Sequence, residues 1–267
     1  MERYRLKNII ILILVLVNLS LLSSLFYRQS KQQELLRRTE DELISLFAAS
    51  DIDLSRNAIS WTAPSACISM TRSTEREKNM AEMLLGSDFQ ETSQSGLNTY
   101  YTAADSLQIR ANGTFEAKLS HAPQDTENFC RTFCSTFSFS EPVFSVDEEG
   151  SGSALAICRH GGKSVYNANA VFTLERGQIT AVTGTLLPES GIGKEDENLL
   201  SCSAALTTFL QMRLSEGTVG SSILDTYPCY ELQNTASSPL TLESAWCIET
   251  DVASYYVNCV SGTITVG

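Results

Sequence analysis

The chain has 267 residues, 43% of them hydrophobic and 19% charged, which suits a folded protein long enough for one large domain or two small ones. The formal net charge is −12; setting aside Glu2, Arg3, Arg5 and Lys7, whose net is +2, leaves about −14 for the remainder. Such an acidic body does not neutralise phosphates, so a nucleic-acid partner is excluded, and anionic lipid repels it except where basic residues cluster.

The N-terminus carries the strongest physical signal. "MERYRLKN" is short and basic, and "IIILILVLVNLSLLSSLF" follows it without a charge from Ile9 to Phe26. Eighteen residues at about 1.5 Å each span about 27 Å, enough for a hydrocarbon core. A cleaved leader wants a shorter apolar core and a small-x-small site. Leu25, Phe26, Tyr27 and Arg28 offer a poor cleavage context, so a retained anchor is expected, although "SLLSS" leaves the cleaved reading open. Arg28, Lys31, Arg37 and Arg38 balance the basic residues in front. A short basic tail before a large domain favours an inside N-terminus. The expected layout is a cytoplasmic tail over 1–8, a span over 9–26 and an extracytoplasmic remainder.

"RQSKQQELLRRTEDELISLFAAS" lacks Gly and Pro and is rich in helix formers. It predicts a helical stalk over 27–50, with Leu36, Leu43 and Phe47 on one stripe. That stripe packs either on its own domain or on a partner's stalk. "RNAISW" reads as a short strand, and "TEREKNMAEMLLG" as a helix stopped by Gly86. "GLNTYYTAADSLQIRANGTFEAKLS" reads as strands with a tight turn at Asn112-Gly113. "APQDTENFCRTFCSTF" is a second helix, starting near Pro123 with Asp125 as a cap. "EPVFSV" and "SALAICRH" are strands. "SVYNANAVFTLERGQITAVTGTLLP" is a hairpin that turns at Arg176-Gly177, with Ala170, Phe172 and Leu174 on one face. "KEDENLLSCSAALTTFLQMRLSEG" predicts a helix with Leu199, Cys202, Leu206, Leu210 and Leu214 at helical spacing, stopped by Gly217.

Three times a helix precedes a meander with a glycine turn, which predicts an α+β class with helices packed on antiparallel sheets. The expected division is an N-terminal subdomain over 51–140 and a C-terminal one over 141–267. In the closing "AWCIETDVASYYVNCVSGTITVG", pairing Trp246 with Val260 sets Ile248 opposite Asn258 and Cys247 opposite Cys259. Trp246, Ile248, Tyr256 and Val260 then share a face, and Cys247–Cys259 is the disulfide this register allows.

Chemistry-bearing motifs are absent. His121 and His160 have no metal-ligand spacing, and no P-loop, G-x-S-x-G, G-x-G-x-x-G or H-E-x-x-H occurs. No catalytic residue, metal or cofactor is expected. Cys130 and Cys134 at i, i+4 read as buried small hydrophobes ahead of a soft-metal pair. Eight cysteines outside a membrane suggest disulfides, while their scatter and the large core suggest free thiols. Within the span, Asn18, Ser20, Ser23 and Ser24 permit close helix approach and interhelical hydrogen bonds, and so form the candidate partner contact.

Four stretches in order resemble the YycH/YycI family, closest to its YycI branch: "RLKNIIILILVLVNLSLL", "SVYNANAVFTLERGQITAVTGTLLP", "LLSCSAALTTFLQ", and "YPCYEL" with "AWCIETDVASYYVNCVSGTI". The resemblance covers the anchor and the last 110 residues or so. Pro228-Cys229-Tyr230 departs from the family's Gly-Tyr, and Cys259 from its Ala. The resemblance implies a membrane-anchored, non-enzymatic regulator of the WalK (YycG) sensor histidine kinase that controls cell-wall metabolism. A YycH-like sister protein is the second implied partner. The closing strands also resemble PepSY-type modules, which implies the alternative: an inhibitor or chaperone of a secreted or wall-associated hydrolase.

Overall fold

The structure is a computed structural model. It describes residues 34–120, 125–194, 198–216, 222–233 and 240–267, together with Asn18, Leu22, Ser23, Tyr27 and Lys31. Most of the expected span 9–26 lies outside the described residues; Asn18, Leu22 and Ser23 within it are helical and exposed. No helix among the described residues is long and apolar enough to cross a membrane.

Helix α1 (34–48) forms where the stalk is expected. After β1 (Asp53–Leu54) the chain makes a 3-10 turn at Arg56–Ala58, where the sequence suggests a strand. The reason lies in Thr226. Its Oγ1 donates to the Ala58 carbonyl and accepts from the Ser60 N–H, so these backbone groups are satisfied without a ladder. Next come β2 (Cys67–Met70) and α2 (Thr74–Leu85). The Ser73 side chain caps α2 by accepting from the Arg76 N–H, and Gly86, at φ +84°, ends it. A meander follows: β3 (Gln90–Gln94), β4 (Leu97–Tyr101), β5 (Ser106–Arg110) and β6 (Thr114–Lys118). Helix α3 (Thr126–Thr136) starts one residue after Asp125, whose carboxylate accepts from the Asn128 N–H.

A second meander holds β7 (Val143–Val146), β8 (Gly152–His160), β9 (Lys163–Glu175) and β10 (Gln178–Thr185). Arg176 and Gly177 both have positive φ, as a type I′ turn requires. Then β11 (Gly191–Lys194) pairs with β2, so Lys194 is in a strand and not in a helix. Helix α4 (Cys202–Glu216) starts later than its charge pattern suggests. The Leu200 N–H bonds to the Cys259 carbonyl, and the Leu200 carbonyl accepts from Trp246 Nε1 at 2.9 Å. These contacts tie the preceding segment to the sheet. The last meander is β12 (Ser222–Gln233), β13 (Thr241–Thr250), β14 (Ser254–Asn258) and β15 (Ile264–Val266). Each of α2, α3 and α4 thus precedes a meander, and the class is α+β.

The main path through the sheet is β11-β2-β13-β12-β9-β10-β6-β5-β4-β3, with β1 joined to β12, β15 through β14 to β13, and β7 through β8 to β9. Strand β9 is the hinge of the layout. It meets β12 in parallel at Val165, β10 further along, and β8 antiparallel on its other side. One core lies under α2 and α3, around Phe115, Phe133, Phe139 and Phe172. It draws on both sides of position 140, from Phe133 to Val182. A second core joins α1, α4 and the terminal strands through Leu43, Phe47, Leu206, Phe209 and Trp246. Leu43 and Phe47 therefore pack on their own domain. On α4 the buried face is Cys202, Ala205, Leu206, Phe209 and Leu210, while Leu214 is exposed and Arg213 is buried, donating to the Tyr255 hydroxyl.

Gly184 sits opposite Ala170 and Phe115, between two strands. A Cβ there would lie 2.2 Å from the Asn169 carbonyl oxygen and 2.8 Å from the Ala170 Cα. These are backbone atoms that cannot swing aside. Gly184→Ala is expected to cost about 1–3 kcal/mol, as overpacking does. Urea unfolding checks this, and an unchanged midpoint would refute the close approach.

Candidate functional site

The outer face of β7, β8 and β9 carries an uncovered apolar row. Val143 pairs with Leu155, and Leu155 with Val171. Beyond them the row turns polar through Thr183, Glu116 and Gln108. Val143 is 71% exposed and Leu155 43%, and Ile157 beside them is 37% exposed. Large side chains face water here because of what lies beneath. Phe133 meets Phe172 edge-on at 5.3 Å and Phe139 stacks on it at 6.0 Å. With so much aromatic volume inside, the inward positions of β8 hold Ala154, Ala156 and Cys158. Strand alternation then sends Leu155 and Ile157 outward.

This row ends at a free edge. Among the described residues β7 pairs only with β8. In an antiparallel pair every second residue of an edge strand points its N–H and C=O away from the sheet. The far edge, β3, is exposed at every position and polar (Gln90–Gln94), a protected edge. Strand β7 instead combines an open edge with apolar neighbours. At its end the Asp147 carboxylate accepts from the Glu149 N–H at 3.0 Å and the Ser151 N–H at 2.8 Å. The Gly177 N–H bonds to the Gly150 carbonyl, tying this turn to the next one. Glu148 and Glu149 are thus presented, exposed, on an ordered turn. Glu141, at the other end, is already paired with Arg131.

These residues are not the ones the sequence singles out. Asn18 and Ser23 are exposed on helical backbone, and Ser20 and Ser24 lie outside the described residues. The terminal register also differs from expectation. Trp246 pairs with Val257 and Cys247 with Tyr256. The turn between the strands explains the shift: the Thr250 N–H and Oγ1 donate to the Ala253 carbonyl, and the Thr250 Oγ1 accepts from the Val252 and Ala253 N–H groups, which closes the hairpin over 250–253. Trp246, Ile248, Tyr255, Val257 and Cys259 face the second core, whereas Cys247 lies on the opposite face with Cys229 and Ala245. Cys247 and Cys259 do not face each other, and both are free thiols. The signal that marks the β7–β8 face is the inverted pattern "SALAIC", with small residues in one phase and large ones in the other.

All eight cysteines are buried thiols. Burial pushes Cys130, Cys247 and Cys259 up to about 11 and Cys134 up to about 12. They are protonated, weak nucleophiles in the fold. Their folded pKa lies above the unfolded value of 9.0, so the stability they contribute is complete below pH 9. It is lost as pH rises through 11 to 12, because the unfolded chain gives up these protons first. Urea midpoints are expected to stay level up to about pH 8 and to fall between about pH 9 and 11. A disulfide-based thiol reagent is expected to label the native chain far more slowly than the unfolded one. Fast native labelling would refute the burial.

Two polar contacts tie loops together. Lys163 Nζ donates to the Ser65 Oγ and stands 6.0 Å from the Tyr230 ring centre. Ser65 is buried, so this pair fixes the segment before β2 to the start of β9. Arg76, also buried, pairs with Glu189 at 2.5 Å. No group of three or more His, Cys, Asp or Glu side chains among the described residues is arranged to hold a metal ion.

No family model matches the chain, and no curated protein matches it. Solved structures do. An uncharacterized protein from Eubacterium rectale ATCC 33656 is 12% identical with a TM-score of 0.43, over 80% of this chain and 85% of that one. The Bacillus megaterium YpeB C-terminal domain is 12% identical with a TM-score of 0.37, over 74% of this chain and 98% of that one. Likenesses this loose identify neither a family nor a function, and neither description names a YycI protein.

Proposed function

We propose that this chain is a membrane-anchored extracytoplasmic binding protein whose folded domain restrains or escorts a secreted or wall-associated hydrolase, in the manner of a PepSY-like inhibitor or chaperone. The observation that carries this reading is the apolar row Val143–Leu155–Val171 beside the free edge of β7. It is a surface ready for another protein, built on the domain and not on the anchor. An inhibitor of this kind acts through its outer domain, and the anchor serves only to localise it.

A second reading, regulation of a sensor histidine kinase, is favoured by a different observation. Leu43 and Phe47 are buried in the second core, so the stalk is coupled to the domain. A partner holding the anchor would then sense what the domain binds, and the kinase's two states would be biased by differential contacts. One experiment separates the readings. The described members of both cores all lie at or beyond Leu43, so residues 34–267 can be secreted without the anchor. Full restraint of wall hydrolysis by the secreted domain supports the inhibitor. Restraint or kinase output that demands residues 1–33, and that an unrelated anchor does not restore, supports the kinase reading and overturns the first.

A further inference from the structure

We propose that β7 is an acceptor strand for an extended, basic segment of the partner protein, which adds to the sheet edge and lays an apolar side chain against Val143. This rests on the binding reading above and specifies the chemistry of what is bound. An added strand takes its hydrogen bonds from the open side of β7 and its specificity from alternate side chains. Side chains on the outer face would extend the existing Val143–Leu155–Val171 row by one strand.

Charge decides the occupant. Asp147, Glu148 and Glu149 follow β7 directly, and exposed Glu175 ends β9 on the adjoining turn. Against these four carboxylates stands Arg176, whose N–H bonds to the Ser151 Oγ. The local field is therefore negative, and lysines or arginines flanking the incoming strand meet it favourably. A second copy of this chain does not fit. Antiparallel pairing of two β7 strands about their centres would set Glu148 of one beside Glu141 of the other, whose partner Arg131 is shared with Glu127 so that the cluster keeps a net negative charge, and parallel pairing would bring both acidic turns together. Like charges opposite one another destabilise a strand pair.

The test uses the full chain in neutral detergent micelles and a fluorescein-labelled peptide, acetyl-KKTVTVTKK-amide, followed by anisotropy. Saturable binding is expected, and it should weaken as salt rises. The peptide N-methylated throughout its TVTVT core should not bind, because that core offers no N–H groups. The acidic counterpart EETVTVTEE should bind far more weakly. Val143→Ser and the pair Glu148→Lys with Glu149→Lys sit at exposed positions, and each is expected to weaken binding by about fivefold or more. Equal binding of the N-methylated peptide would overturn strand addition. Unchanged binding in both variants would overturn the location. A dimeric chain that Val143→Glu converts to monomer would show that a second copy occupies the edge, and would overturn the basic partner. Full restraint of the hydrolase by variants that have lost the peptide would overturn this site while leaving the binding reading intact.

Discussion

Replacing Phe133 by alanine is expected to cost about 3–5 kcal/mol of stability, the range for a fully buried aromatic residue. Phe133 is completely buried on α3. Its ring lies 4.9 Å from that of Phe137, 5.3 Å from Phe172 and 6.0 Å from Phe139, so it joins the helix to the second meander. Phe115 at 6.5 Å extends the contact to the first meander. A cavity at this point has walls on three elements and cannot collapse by moving one of them. Phe129, one turn earlier and only half-buried, provides the control, and Phe129→Ala should cost clearly less. Urea unfolding with unchanged m-values would measure both. A Phe133→Ala loss below about 1 kcal/mol would mean that this cluster does not hold the first core together.

Local signals in the sequence carried over to the structure where the physics is local. Asp125 caps α3, Gly86 stops α2, and Arg176-Gly177 turns β9 into β10, because each outcome depends on a few neighbouring dihedrals and one hydrogen bond. What was not legible depends on distant partners. The segment 56–58 curls because Thr226, far along the chain, captures its backbone. The start of α4 is delayed because Leu200 is tied to Cys259 and Trp246. The terminal register turns on a single side chain, Thr250, whose hydroxyl closes the hairpin over 250–253 and so pairs Trp246 with Val257, three residues from where alternation alone would put it. The β7–β8 face was missed for a related reason. Leu155 and Ile157 are the large apolar residues of their strand, and only the aromatic filling around Phe133 turns them outward.

The stalk is where packing and function meet, and Phe47→Ala is expected to release it. Phe47 is fully buried and Leu43, one turn before it, nearly so. Their neighbours in the second core include Leu206, Phe209 and Ile52. At the surface, Trp61 Nε1 donates to Glu40 at 2.8 Å and Arg56 pairs with Asp41, so the turn after β1 clasps the helix from outside. These exposed contacts add little, since each is worth about 0–1 kcal/mol in water. The aromatic side chain dominates, and truncating it should remove about 3–5 kcal/mol. If the first core holds, that loss falls on the docking of α1, and the open fraction of the helix rises by about two to four orders of magnitude. Limited proteolysis is then expected to cut Phe47→Ala within 34–50, leaving the region from Cys67 onward protected, and amide exchange should show the same boundary. Leu35→Ala, at a position 64% exposed on the same helix, should change neither. The functional consequence separates the two readings again. An inhibitor that works through β7 should keep its activity when α1 is loose, whereas a regulator that transmits through the stalk should lose its effect on the kinase. Proteolysis of Phe47→Ala at the wild-type rate would show that α1 is held by contacts other than its buried stripe, and would move the coupling between anchor and domain off Phe47.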